Sequence, residues 1–462
     1  MKSKVLLAVF FCAIFSMSAQ VKKWTLEECV IFAVENNLTI EQFELDLENA
    51  KIDKSDALGA LLPNLNASSN ISERSGLVVD PNTNSNVSGT IFSVSPGFSS
   101  NWTLFNGLQN IRQLQRSKLN AISNQYRLDD LKDDIRLNVA NAYLLVISNK
   151  EALKVSKAQY AVTEQDLKRT KELVESGVVP RGDLLEIEAT AATQEQQIVN
   201  NEALVTISKI NLAQLLQITD YDNFDVADES FEVPPSSILN NSPKVIFDKA
   251  LGFRNDIKLA ETNVELAEKD VQIAKGSLYP TLAAFFNYGT FYSNLESPIF
   301  DPIINDFLRD PVSGNVLLFR DSFSDQLWIN DGITYGFQVN VPVFNGWSSK
   351  NNVKRSKIGL ERAKLQMEST KLELETAINQ AYVDVKTFSK AYEAAEKTLE
   401  AREVAYQYAK DRFDVGLLNA FDFGQSQARL DDARANVIRS KYDYIFRLKI
   451  LEFYFGLPIQ LN

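Results

Sequence analysis

The sequence predicts an α+β protein in which long antiparallel α-helical coiled-coil hairpins accompany four membrane β-strands per chain, completing a twelve-stranded β-barrel as a trimer. Three observations lead there: a tandem repeat, very long stretches of coiled-coil periodicity, and short segments that alternate apolar and polar residues. The repeat comes first. Phe105-Asn106-Gly107 returns as Phe344-Asn345-Gly346, Arg116-Ser117-Lys118 as Arg355-Ser356-Lys357 and Ala142-Tyr143 as Ala381-Tyr382, each offset by 239. Gly177 with Gly416 and Asp183 with Asp422 keep that offset. Leu62-Pro63 and Tyr279-Pro280 correspond at 217, so the second copy carries about 22 extra residues, expected to form a loop. The chain is thus divided into a signal peptide (1–19), a first repeat (20–217), an acidic linker (218–242) and a second repeat (243–462).

Along the chain, Lys2 and Lys4 precede an apolar run from Val5 to Phe15, and Ser16-Met17-Ser18-Ala19 offers small residues for cleavage, which together read as an export signal. Thr25 and Glu28 are spaced as a capping box that opens the first helix. Each copy then reads helix, strand, loop, strand, very long helix, tight turn, long helix. The strands are one-sided: Ile333, Tyr335, Phe337, Val339 and Val341 alternate with Thr334, Gly336, Gln338 and Asn340, and Leu282, Ala284, Phe286 and Tyr288 repeat the pattern. Phe98, Ser100, Trp102 and Leu104 do so more weakly. Strands with one apolar, aromatic-flanked face suit a membrane barrel, but four cannot close one and an open edge cannot sit in lipid. Three chains supplying twelve strands are the simplest closure.

The long helices follow from composition and period. Leu108 to Ser176 contains no proline or glycine and would be about 100 Å long if straight. In the second copy Leu374, Ile378, Ala381, Val385, Phe388, Tyr392, Ala395 and Leu399 recur at spacings of four and three, the seam of a coiled coil; Ile135, Val139, Ala142 and Val146 start the same seam in the first. Gly177 and Gly416 stand where a helix needs a left-handed C′ residue. Between the copies, Asp220, Asp222, Asp225, Asp228, Glu229 and Glu232 make the linker acidic. Asp80-Pro81-Asn82-Thr83-Asn84 resembles the start of a calcium loop, but Ser85 and Ile91 replace its glycine and closing glutamate, leaving a polar loop.

Composition narrows the function. With no histidine among 462 residues and only Cys12 and Cys29, the commonest general base and the zinc ligands are missing. A net charge of −12, or −14 without the export signal, argues against nucleic-acid binding. There is no phosphate-binding GxxxxGK[ST] loop. No enzymatic activity, cofactor or metal site is expected.

The sequence resembles the TolC family of outer-membrane efflux channels. The resemblance rests on Trp24-Thr25-Leu26-Glu27-Glu28 through Ala33 and Asn36-Asn37, on Leu61-Leu62-Pro63 and Leu278-Tyr279-Pro280, on both Phe-Asn-Gly turns and on both glycine tips. It implies a homotrimer in outer-membrane lipid whose helical tunnel extends into the periplasm, with the linker as a strap around it. A periplasmic adaptor (membrane fusion) protein and an inner-membrane transporter would be its partners. The channel would be the passive exit duct of a tripartite efflux or type I secretion system. A soluble periplasmic adaptor or structural rod stays open as the alternative. The resemblance further implies a periplasmic gate at Asp183, Glu186, Asp422 and Gln425 and adaptor docking at Gly177, Val178, Val179, Gly416, Leu417 and Leu418. Gln425 stands where the family has a second acidic residue, and Phe413 and Leu418 where a latching tyrosine and arginine would reach Asp183. For Asp183 and Asp422 a plain helix-start role, favoured by the helix dipole, stays equally open.

Overall fold

The computed structural model describes residues 22–79, 86–228, 231–234, 237–301, 303 and 306–457; the expected export signal over 1–19 and the polar stretch Asp80–Asn84 lie outside them. In chain order, β1 (Lys23–Trp24) precedes α1 (Leu26–Asn36), α2 (Leu38–Gly59), β2 (Asn66–Val79), β3 (Asn86–Asn106), α3 (Gln109–Glu175) and α4 (Arg181–Leu215). After β4 (Asp225–Val226) come α5 (Pro243–Ala250), α6 (Asn255–Gly276) and β5 (Thr281–Gly289). The two-residue strands β6 (Tyr292–Ser293), β7 (Ser297–Pro298), β8 (Phe300–Asp301), β9 (Asp306–Phe307) and β10 (Leu318–Phe319) follow, then α7 (Phe323–Ile329), β11 (Gly332–Asn340), α8 (Ser348–Asp414) and α9 (Ala420–Tyr454). Helices α3 and α8 each have 67 residues, α4 and α9 each 35, and all their ends are offset by 239. The expected capping box is present: Thr25 accepts from the Glu28 amide and Glu28 accepts from the Thr25 amide.

The chain falls into two compact units, one from the described parts of 1–48, 123–261 and 365–462, the other from 49–122 and 262–364. The first unit holds two cores that repeat one another. Cys29 and Ala33 of α1 pack with Val139, Tyr143, Val146, Leu212 and Leu216, while Ile246 and Ala250 of α5 pack with Ile378, Ala381, Val385 and Leu451. The recurring Ala-Tyr pair now has a physical reason. Tyr143 donates its hydroxyl to the Trp24 carbonyl (3.4 Å) and Tyr382 donates to the Leu239 carbonyl (3.3 Å), each clasping the chain that leads into its copy. Two carboxylates of the acidic linker are neutralised locally: β4 pairs in parallel with β1, and Asp225 and Asp228 receive Lys150, with Lys209 on Asp225 and Lys23 on Asp228. Hydrogen bonds from Lys150 and Lys23 hold the Asp228 carboxyl down at about 2.

The second unit is built on an antiparallel sheet in the order β11-β5-β3-β2, with β6 pairing with β3 past the end of β5. Residues directly opposite across strands share a face, so the register sorts the side chains. Ile333-Tyr288-Phe98, Phe337-Ala284-Trp102 and Val339-Leu282-Phe105 fall on one face; Thr334-Asn287-Ser99, Gln338-Ala283-Thr103 and Asn340-Thr281-Asn106 fall on the other. A bulge between Thr103 and Phe105 shifts the register, so Phe105 and not Leu104 stands opposite Leu282, which is why the alternation in β3 is weak to the eye. Among the described residues, β2 and β11 each keep one edge without a strand partner. Gly107, at φ +67°, could not carry a side chain, because a Cβ there would lie 2.2 Å from the Gly276 carbonyl oxygen. The second copy's extra residues are not a plain loop: they contain β6 to β10 and α7. Their own hydrogen bonds, described below, fold them.

Candidate functional site: the hairpin tips

Both hairpins turn through a glycine at φ +75°, Gly177 and Gly416. The turns are Schellman motifs at equivalent positions, with Val178 N–H on the Leu173 carbonyl (2.9 Å) and Leu417 N–H on the Arg412 carbonyl (2.8 Å). Gly177 N–H to the Val174 carbonyl and Gly416 N–H to the Phe413 carbonyl, both 3.0 Å, complete them. The following helices start differently. Asn419 caps α9 by accepting from the Asp422 amide (2.8 Å), whereas Pro180 opens α4 with no side-chain cap and its carbonyl accepts from the Asp183 amide (3.1 Å).

The structure separates the gate candidates. Asp183 lines a recess of about 570 Å³ with Val178, Val179, Gly416, Leu417 and Leu418. Glu186 and Gln425 both line a different cavity, about 690 Å³, shared with Gln194, Phe421 and Asp431. Asp422 lines neither; it is exposed, and its carboxylate accepts from the Asn419 amide nitrogen at 3.0 Å. Of the four apolar tip residues expected at the surface, Val178 and Leu417 are 68% and 70% exposed, while Val179 and Leu418 are half-buried.

Three tip contacts were not expected from the sequence. Arg169 donates to Asp414 at 2.7 Å, joining α3 to α8. Phe413 stacks flat on Phe423 (4.6 Å, 3°), which also stacks on Tyr406 (5.7 Å). Farther along, buried Gln427 donates to buried Thr163 (2.6 Å) and Gln194 donates to Asp431 (2.9 Å), fastening α9 to both helices of the first hairpin. Arg169 and Asp414 carry no local signature, because their partnership depends on packing between elements 245 residues apart. Burial is the main cause that pushes the Asp431 carboxyl up to about 6, opposed by Gln194 and Arg434, and burial likewise raises Asp166. Among the described residues no cluster of histidine, cysteine, aspartate or glutamate could hold a metal ion, and no helix is long and apolar enough to cross a membrane.

Long paired helices with a one-sided antiparallel sheet define the fold of outer-membrane channels. The CmeC outer membrane channel of Campylobacter jejuni superposes with a TM-score of 0.78 over 93% of this chain and 85% of that one, at 17% identity. VceC of Vibrio cholerae gives 0.75 over 94% and 97%, at 15% identity. The chain belongs to the outer membrane efflux protein family, which it matches over residues 32–216 and 246–456. It is 22% identical over 319 residues to the outer membrane protein TolC of Vibrio cholerae, covering 67% of this chain. It is 21% identical over 313 residues to the probable efflux pump outer membrane protein TtgC of Pseudomonas putida, covering 65% of this chain. The matched spans make up 64% and 56% of those relatives, so the chain matches less than two thirds of their length. Family membership places the protein in the outer membrane.

Proposed function

We propose that three copies assemble into a passive exit duct, the outer-membrane component of a tripartite efflux or type I secretion system. The observation that carries this reading is the sheet: one face is mainly apolar across β11, β5 and β3, the other mainly polar, and among the described residues both end strands offer an open edge. Unpaired backbone groups are intolerable in lipid, so the edges of one copy complete the next until twelve strands close. The polar face then lines the lumen. The helical hairpins form a periplasmic tunnel, girdled by the linker over 218–242, and the energy comes from an inner-membrane transporter reached through a periplasmic adaptor. At the tunnel's end, Asp183, Glu186, Asp422 and Gln425 line the entrance. Gly177, Val178, Val179, Gly416, Leu417 and Leu418 form the surface on which the adaptor docks.

The test is assembly with conductance. Extracted from outer membranes in detergent, the protein should have the mass of three chains by light scattering and form discrete conducting units in planar bilayers. A monomer that stays in solution without detergent would overturn the reading.

A further inference from the structure

The second copy's insertion extends the sheet beyond the membrane band. Gly332, Gly289 and Gly97 lie level across β11, β5 and β3. Past that row β6 continues alongside β3, with Tyr292 opposite Val94 and Ser293 opposite Ser93. Val94 shares its face with Phe98, four residues along the same strand, so Tyr292 lies on the apolar face. There Tyr292 packs against Phe92 (6.5 Å) and against Phe323, the first residue of α7 (5.0 Å).

Helix α7 is held firmly. Ser322 caps it by accepting from the Asp325 amide (3.2 Å). Gln326, 4% exposed, clamps β6 by accepting from the Ser293 amide (2.9 Å) and donating to the Ser293 carbonyl (3.0 Å). Thr290 donates to the Leu327 carbonyl (2.8 Å) and Asn330 to the Phe291 carbonyl (3.0 Å). Yet this fastened helix leaves Trp328 79% and Ile329 66% exposed. A rigid helix gains nothing by presenting an indole and a branched aliphatic chain to water, whereas an indole is most stable at a membrane's headgroup level, where its ring is apolar and its N–H stays wet.

We propose that α7 is an interfacial lipid anchor: Phe323, Trp328 and Ile329 extend the sheet's apolar face into the outer-leaflet interface. The occupant is lipid because Phe92 and Tyr292, with Phe323 packed on them, lie on the strand face that carries Trp102, Phe337 and Tyr288, and the row between, Pro96 with Ser69, holds no charge. This rests on the barrel reading, and Trp102, on the face assigned to lipid, serves as the control.

Two single-tryptophan chains decide the matter, each with Trp24→Phe and Trp347→Phe, one keeping Trp328 (Trp102→Phe) and one keeping Trp102 (Trp328→Phe). Both are reconstituted into phosphatidylcholine bilayers brominated either high or low on the acyl chain. Trp328 should be quenched at least about twofold more by bromine near the headgroup than by bromine near the chain end, and Trp102 should be quenched as well. Quenching of Trp102 without Trp328 overturns the anchor and leaves the barrel standing, with α7 facing water or a second copy. Absence of quenching at both positions overturns both readings. Quenching of Trp328 alone supports the anchor and overturns the assignment of the sheet's lipid face. If the tryptophan-depleted chains fail to assemble, a nitroxide on Trp328→Cys in a Cys29→Ala background reads the same contact by oxygen accessibility, which exceeds that of a water-soluble nickel reagent only in lipid.

Discussion

At Asp431 the carboxyl's pKa of about 6 lies above the ordinary aspartate range, with burial as the first cause. Between about pH 4 and 6 the folded chain therefore binds more protons there than the unfolded chain, and its stability falls as pH rises through that window. Asn at 431 keeps an acceptor for Gln194 and removes the charge. Asp431→Asn should raise stability at pH 7 by about 1 kcal/mol, a figure discounted for the group's partial solvation, and the gain should fade below pH 4. Thermal unfolding of both chains at the two pH values checks this; a gain equal at both would mean that charge burial is not its source. Asp422 makes the opposite kind of statement, since it is exposed and its hydrogen bonds join it to its own cap residue, Asn419. Three copies of its carboxylate around a narrow entrance would concentrate negative potential and favour cations. Asp422→Asn should then lower cation preference in planar bilayers, read as reversal potential under a salt gradient; an unchanged potential would return Asp422 to a plain helix start. Asp422 could be singled out from the repeat, because Asp183 stands at the same offset of 239, but Asp431 could not, since Ala192 holds its place in the first copy. Arg169 with Asp414 could not, because a pair made by packing between two hairpins leaves no trace in either segment.

The turns and helices were the most legible elements, since each depends on a few neighbouring residues. The glycines at 177 and 416 adopt the left-handed conformation that their position after a long proline-free helix requires, and both close the same pair of backbone hydrogen bonds. Replacing Gly416 by valine would force a β-branched residue to positive φ at about 1–2 kcal/mol per site. Together with Leu417→Asp this should abolish export while trimer yield and membrane fractionation stay normal; surviving export would move adaptor docking away from the tip. The coiled-coil seam was equally readable, with Leu374, Ile378, Ala381, Val385 and Ala395 all buried. Two elements were misread for a common reason. The bulge at Leu104 and the folding of the second copy's insertion both show only in pairing with other elements, with Leu282 of β5 in one case and between Ser293 of β6 and Gln326 of α7 in the other. Alternation along a single strand cannot register either.

For the whole molecule, the decisive property is which face of the sheet meets which solvent. Phe337 and Gln338 are neighbours on β11 but lie on opposite faces, opposed by Ala284 and Ala283. Phe337→Asp should destabilise the barrel by about 2 kcal/mol, whereas Gln338→Asp should be tolerated, as read from heat-induced trimer dissociation on gels. Equal tolerance would contradict a barrel wall. One detail of the pairing sets the geometry of that wall. The first residue of β2, Asn66, lies level with Ser99, while β3 continues to Asn106, level with Thr281 and Asn340. Counted along β11, where no bulge intervenes, the two free edges of one chain thus begin six residues apart along the strand direction, from Thr334 to Asn340, about 20 Å. For edges to meet level, each copy in the proposed trimer must slide by that amount against the last. Summed over twelve strands, the slide inclines every strand by roughly 45° to the barrel axis. At that pitch the nine residues of β11 advance only about 20 Å along the membrane normal, which matches the protein to a thin bilayer such as the bacterial outer membrane.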